Sequence, residues 1–96
     1  NFKILPSNLS IVESKNAQIL FNNLYKRLIN ENACNAEFFK SIIVEIGNEI
    51  NLHGKDLFFP IRTALYGKPK GPDVNILFSI LGKNEILQRL SNVINK

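Results

Sequence analysis

Methionine and tryptophan are missing from the chain, and cysteine and histidine occur once each. With no Met there is no initiator residue, which points to a processed chain or a piece of a longer protein. One thiol, Cys34, closes no internal disulfide and builds no metal cage, and a reduced, cytoplasmic compartment is expected. The one histidine, His53, stands beside Gly54 at the end of a predicted helix, where capping suits it better than general-base work. No apolar run approaches the ~20 residues that a bilayer span needs. The opening NFKILPSNLSIVES scatters its apolar residues and offers no small-residue cleavage site, so it does not read as a secretory signal. A P-loop, a dinucleotide glycine pattern and metal-ligand spacing are all missing. Glu37, Glu45 and Glu49 read as a solvated helix face. No catalytic site and no metal site is expected within these residues.

Hydrophobic residues make up 45% of the chain, enough for one modest core. Residues 1–96 are therefore expected to form a single domain. The formal net charge is +4, and its placement is informative. In residues 1–50, Lys3, Lys15, Lys26, Arg27 and Lys40 balance Glu13, Glu31, Glu37, Glu45 and Glu49. In residues 51–96, Lys55, Arg62, Lys68, Lys70, Lys83, Arg89 and Lys96 outnumber Asp56, Asp73 and Glu85. The whole excess lies in the second half. Such a balance suits a polyanionic partner. It equally suits a solvated surface whose charge aids solubility.

Helical periodicity runs almost throughout. Ala17, Leu20, Phe21, Leu24 and Leu28 form one stripe, and Phe39, Ile42, Ile43, Ile46 and Ile50 a second. They predict helices over 15–30 and 36–51, the second capped by Asn35. Gly54 is placed to take a left-handed conformation after it. A third helix is predicted over 56–66, with Pro60 near its first turn and Gly67 at its end. Pro72 suits the first position of a fourth, whose buried face is Val74, Leu77, Phe78 and Leu81. Gly82 stops it, and Asn84 can cap a fifth along Ile86, Leu90, Val93 and Ile94. Residues 1–14 are a poorly defined lead with room for a short helical turn. The expected fold is all-α, a compact bundle of about five short helices.

The stretch FFPIRTALYGKPKGPDVNIL, residues 59–78, breaks this ordinary pattern. On the third helix, Leu57, Phe58, Ile61, Ala64 and Leu65 share the core side. The other side carries Phe59, Arg62, Thr63 and Tyr66. Flat rings can stack on unpaired bases, and a guanidinium can stack or pair with base edges. The same pattern arises if Phe59 or Tyr66 buries against another helix. The loop holds Lys68 and Lys70 on either side of Pro69, and Gly71-Pro72 then opens a helix with free amides. A phosphate or a base carbonyl suits such a place. So does a plain helix–helix turn with solubilising lysines.

Residues 54–90 resemble the C-terminal anticodon-binding domain of bacterial-type glutamyl-tRNA synthetase. The resemblance rests on Gly54-Lys55, the Pro-x-Arg-x-Ala-x-x-Gly run from Pro60 to Gly67, Gly71-Pro72, Leu81-Gly82-Lys83 and Arg89-Leu90. It covers about 37 residues in register, and the upstream helices match it only as generic α structure. It implies a helical cage that receives splayed anticodon bases. It implies a parent enzyme, a class I ligase that charges tRNA-Glu using ATP and Mg²⁺, whose catalytic motifs lie upstream. That parent is expected to be a cytoplasmic monomer that binds neither membrane nor DNA. By resemblance, anticodon contacts fall on Phe59, Arg62, Gly71, Pro72 and Val74. Phe59 stands where the family commonly has a polar amide, and Tyr66 where it has a small hydroxyl residue. Stacking is thus expected to replace a hydrogen bond. The full expected set is Phe59, Arg62, Thr63, Tyr66, Lys68, Lys70, Gly71, Pro72 and Val74. The other reading is a helical protein-interaction module, with Phe59 and Tyr66 as its hot spots and no RNA role.

Overall fold

The structure is a computed structural model that describes residues 4, 6–31 and 35–94. Cys34 and the middle of the INENACN linker lie outside the described residues. A 3₁₀ turn, Pro6–Asn8, leads into five α-helices: α1 Leu9–Glu13, α2 Lys15–Ile29, α3 Ala36–Ile50, α4 Lys55–Tyr66 and α5 Val74–Val93. The all-α bundle is therefore as expected, but its helices divide differently. The lead segment supplies α1, and the two C-terminal helices are joined across Gly82. That residue alone leaves helical geometry, at φ 81° and ψ 163°. A glycine reaches this conformation without a Cβ clash, so the chain kinks and resumes its helix at once. Asn84 falls inside the resumed helix and does not cap it.

Helix ends follow side-chain chemistry. The Ser14 hydroxyl accepts from the Ala17 amide at 3.2 Å and opens α2. The Asn35 carbonyl oxygen accepts from the Phe38 amide at 2.8 Å and opens α3. The left-handed residue after α3 is Asn51, φ 61°, and not Gly54. Asparagine tolerates that region better than other side chains. Gly54 also has positive φ, but it opens α4, and its carbonyl accepts from Leu57 and Phe58 at 3.1 and 3.0 Å. Since α4 starts at Lys55, Pro60 sits beyond the first turn. Its missing N–H leaves the Asp56 carbonyl without its usual helical donor. Pro72 precedes α5 instead of starting it, and Asp73 takes the cap.

The core forms where the stripes converge. Leu20, Phe21, Leu24 and Leu28 of α2 meet Phe39, Ile42, Ile43 and Ile46 of α3, Ile61 and Leu65 of α4, and Ile86 and Leu90 of α5; all are fully buried. Burying each such side chain is worth about 1.5–3 kcal/mol. Phe39 and Phe78 tilt together with ring centres 5.0 Å apart, pinning α5 to α3. Helix α5 packs on α2, α3 and α4, and α2 touches all four other helices. Two polar ties fix the second half of α5. Arg89 donates through Nη1 to the Leu65 carbonyl at 2.6 Å, near the C-terminus of α4. The Lys83 ammonium donates to the Glu31 carbonyl beyond α2. Short α1 packs on both α4 and α2. Gln18 of α2 links it to the end of α5: its Nε2 donates to Val12 O at 2.9 Å and to Val93 O at 2.8 Å.

Candidate nucleic-acid interface

Helix α4 positions the candidate residues along one edge, but α1 covers part of that edge. Thr63, expected on the outer side, is fully buried. Its hydroxyl donates to the Phe59 carbonyl at 2.8 Å, one turn back. On this side of the bundle α1 lies against α4, and Asn8 Nδ2 donates to the Gly67 carbonyl at 3.3 Å. Val74 is also fully buried, in agreement with its place on an apolar stripe. In this conformation neither side chain is presented to a ligand.

Phe59 is half-buried. It lines a groove with Ser10, Ile11, Ser14, Lys55 and Asp56, between α4 and the junction of α1 with α2. Tyr66 is 40% exposed. The Lys68 ammonium lies 5.5 Å from its ring centre, within cation–π range. On the loop side, a Cβ on Gly71 would come within 2.6 Å of the Tyr66 ring. Glycine thus lets the loop lie against the aromatic ring. Lys68, Lys70 and Gly71 are exposed and Pro72 is half-buried.

Arg62 stands between the two aromatic residues. Its side chain keeps 20% exposure. The guanidinium carbon lies 5.9 Å from the Phe58 ring centre, and Nη2 lies 3.8 Å from Asp73 Oδ1. Its Nε is buried with no hydrogen-bond partner. Asp73 joins three elements. Oδ1 accepts from the Val74 amide at 2.8 Å, and Oδ2 accepts from Lys40 Nζ of α3 at 3.0 Å. The Lys40 hydrogen bond is the main cause that holds the Asp73 carboxyl below its ordinary value. Burial opposes it, while the Val74 amide and the charges of Lys40 and Arg62 add to it.

Sequence reasoning missed Asp73 and Phe58 as neighbours of Arg62, and Lys40 as the partner of Asp73. Two of these carried a signal. Phe58 and Arg62 are four residues apart on a helix, and Asp73 precedes an apolar run as a cap does. Lys40 carried none, because its contact is made only by packing α3 against α5.

The arrangement combines an exposed ring, a guanidinium with unused donors and two loop lysines on a wholly helical scaffold. Such a face suits unpaired bases and their phosphates. The chain belongs to the anticodon binding domain family, whose pattern matches residues 6–94. Within it, the chain is similar to glutamate–tRNA ligases. It is 32% identical over 84 residues to the glutamate–tRNA ligase of Staphylococcus saprophyticus, covering 88% of this chain and 17% of that protein. It is 39% identical over 71 residues to glutamate–tRNA ligase 1 of Caldicellulosiruptor saccharolyticus, covering 74% and 15%. It is 31% identical over 84 residues to a glutamate–tRNA ligase sequence from Staphylococcus xylosus, covering 88% and 70%. The chain thus spans only 17% and 15% of the length of the first two. Among the described residues no helix is long and apolar enough to cross a membrane.

Proposed function

We propose that this domain receives the anticodon loop of tRNA-Glu as part of a longer glutamate–tRNA ligase. The observation that carries the reading is the edge of α4, where Arg62 and the exposed Tyr66–Lys68 pair lie beside the loop of Lys70 and Gly71. Family membership and the ligase relatives support it. Tyr66 stacks on a splayed base, with Phe59 offering a second, half-buried ring. Arg62 pairs with a base edge. Lys68 and Lys70 meet phosphates. Gly71 and Pro72 shape the loop, while Thr63 and Val74 act from the core by holding α4 and α5 in place. The parent is a cytoplasmic class I synthetase that works as a monomer. In it, ATP with Mg²⁺ supplies the activation of glutamate. Among the described residues no three His, Cys, Asp or Glu side chains converge as they would to hold a metal ion.

Arg62 gives the test. Arg62→Ala in the full-length ligase is expected to remove about 1–3 kcal/mol of discrimination, by analogy with bidentate base contacts in DNA. The loss should appear for tRNA-Glu and largely vanish for a tRNA with a changed anticodon, where the contact is already absent. Arg62→Lys should rescue poorly, because it keeps the charge and loses the planar fork. A thermal melt run alongside is expected to show a stability cost of about 1 kcal/mol, from lost packing on Phe58 and the contact to Asp73. Equal losses on both tRNAs would reduce Arg62 to a phosphate contact. No loss on either would remove it from the interface.

A further inference from the structure

We propose that Asp73 is a positioning residue for Arg62, and that Lys40 sets how firmly Asp73 holds it. The inference rests on the reading of Arg62 as a base contact. Its starting point is a mismatch in the distances around one carboxylate. Asp73 makes two good hydrogen bonds, to the Val74 amide at 2.8 Å and to Lys40 Nζ at 3.0 Å. Its approach to Arg62 Nη2, at 3.8 Å, is beyond hydrogen-bond distance. The carboxylate therefore attracts the guanidinium without consuming its donors.

That difference matters for recognition. A guanidinium reads a base by presenting two parallel N–H groups. A carboxylate is the strongest competitor for the same pair of donors. Here the competitor is occupied elsewhere: Lys40 engages Oδ2 and the helix amide engages Oδ1. Phe58 lies on one side of the guanidinium, 5.9 Å from its carbon. The buried Nε limits how the side chain can turn. Arg62 is thus oriented by charge and packing, with its terminal donors left for a ligand. Without Lys40, Oδ2 is free, and Asp73 can close on Arg62 and take both donors. Lys40 acts on the base contact through two other side chains and touches no RNA.

Binding of full-length ligase variants to tRNA-Glu and to an anticodon-changed tRNA tests this. Lys40→Met should weaken binding of tRNA-Glu by about 3- to 10-fold, as expected for residues that share one network. The same change should have no effect in an Asp73→Asn background or in an Arg62→Ala background. Asp73→Asn keeps an acceptor for the Val74 amide, so the helix cap survives. Removing an acidic charge should by itself strengthen RNA binding in general. A positioning role predicts the opposite for discrimination: the preference for tRNA-Glu should fall by about 3- to 10-fold. Lys40 as a phosphate contact predicts another pattern, with equal losses in all three backgrounds and a shallower salt dependence. That pattern overturns the proposal, as does an Asp73→Asn variant with unchanged preference. If Arg62→Ala itself leaves the preference untouched, the underlying assignment of Arg62 fails instead, and the two failures are told apart. Thermal melts of each variant separate these effects from loss of fold.

Discussion

Gly71 lies against Tyr66 so closely that a Cβ on the glycine would stand 2.6 Å from Cε2 and 2.7 Å from Cδ2 of the ring. The loop therefore braces one part of the aromatic ring, while Lys68 approaches its π system. By resemblance Gly71 was expected among the anticodon contacts. Its observed neighbour is a side chain of its own domain.

Gly71→Ala should push Tyr66 out of this seat. Since Tyr66 is 40% exposed, its ring can swing toward solvent. The stability change should then stay within about 0.5 kcal/mol, as for other surface changes. Binding of tRNA-Glu should weaken, and the loss should not add to that of Tyr66→Ala. Losses that add fully would mean that Gly71 meets RNA directly.

Replacing Lys68 and Lys70 together with Ala should weaken tRNA binding while leaving the thermal melt unchanged. If each lysine meets one phosphate of a single-stranded segment, the log–log salt slope becomes shallower by roughly 1.4, at about 0.7 per contact. An unchanged slope would remove both lysines from the phosphate path.

Arg89→Met should destabilise the domain by about 1–3 kcal/mol, the range for a hydrogen bond from a charged donor. The Leu65 carbonyl then loses the donor that now stands 2.6 Å away. Denaturant unfolding measures the loss. Because Arg89 ties α5 to α4 and is not part of the proposed interface, a variant that melts normally yet fails only in tRNA binding would contradict this role.

Asp73 should make stability depend on acid. Its carboxyl is held below the ordinary value of 3.8, chiefly by the Lys40 hydrogen bond. A depressed folded-state pKa stabilises the fold above the unfolded value and loses that effect as pH falls through the folded one. Wild type should therefore exceed Asp73→Asn in stability near neutral pH, and the gap should narrow as the pH drops below 3.8. Urea melts at neutral and acidic pH compare the two. A gap that is constant with pH would mean that the Asp73 charge contributes nothing to folding.

The core was legible because its cause is local. The 3.6-residue spacing of Leu20, Leu24 and Leu28, or of Phe39, Ile43 and Ile46, determines which face must leave water, whatever lies opposite. Asn35 and Gly67 declared helix ends for the same reason, since a cap needs only its own neighbours. The resemblance carried by Pro60 to Gly67 was likewise readable from residue types at fixed intervals. What the spacing could not decide was which polar-side residues stay uncovered. Thr63 shares the outer side of α4 with Tyr66, yet in the bundle, where α1 packs on α4, one is buried and the other stays exposed. Arg62, Asp73 and Lys40 lie on separate elements, and only the packing of α3, α4 and α5 brings their charges together. Periodicity ranks faces of a single helix by their affinity for water. The partner of each face is set by how the helices cross, and that is a property of the assembled bundle.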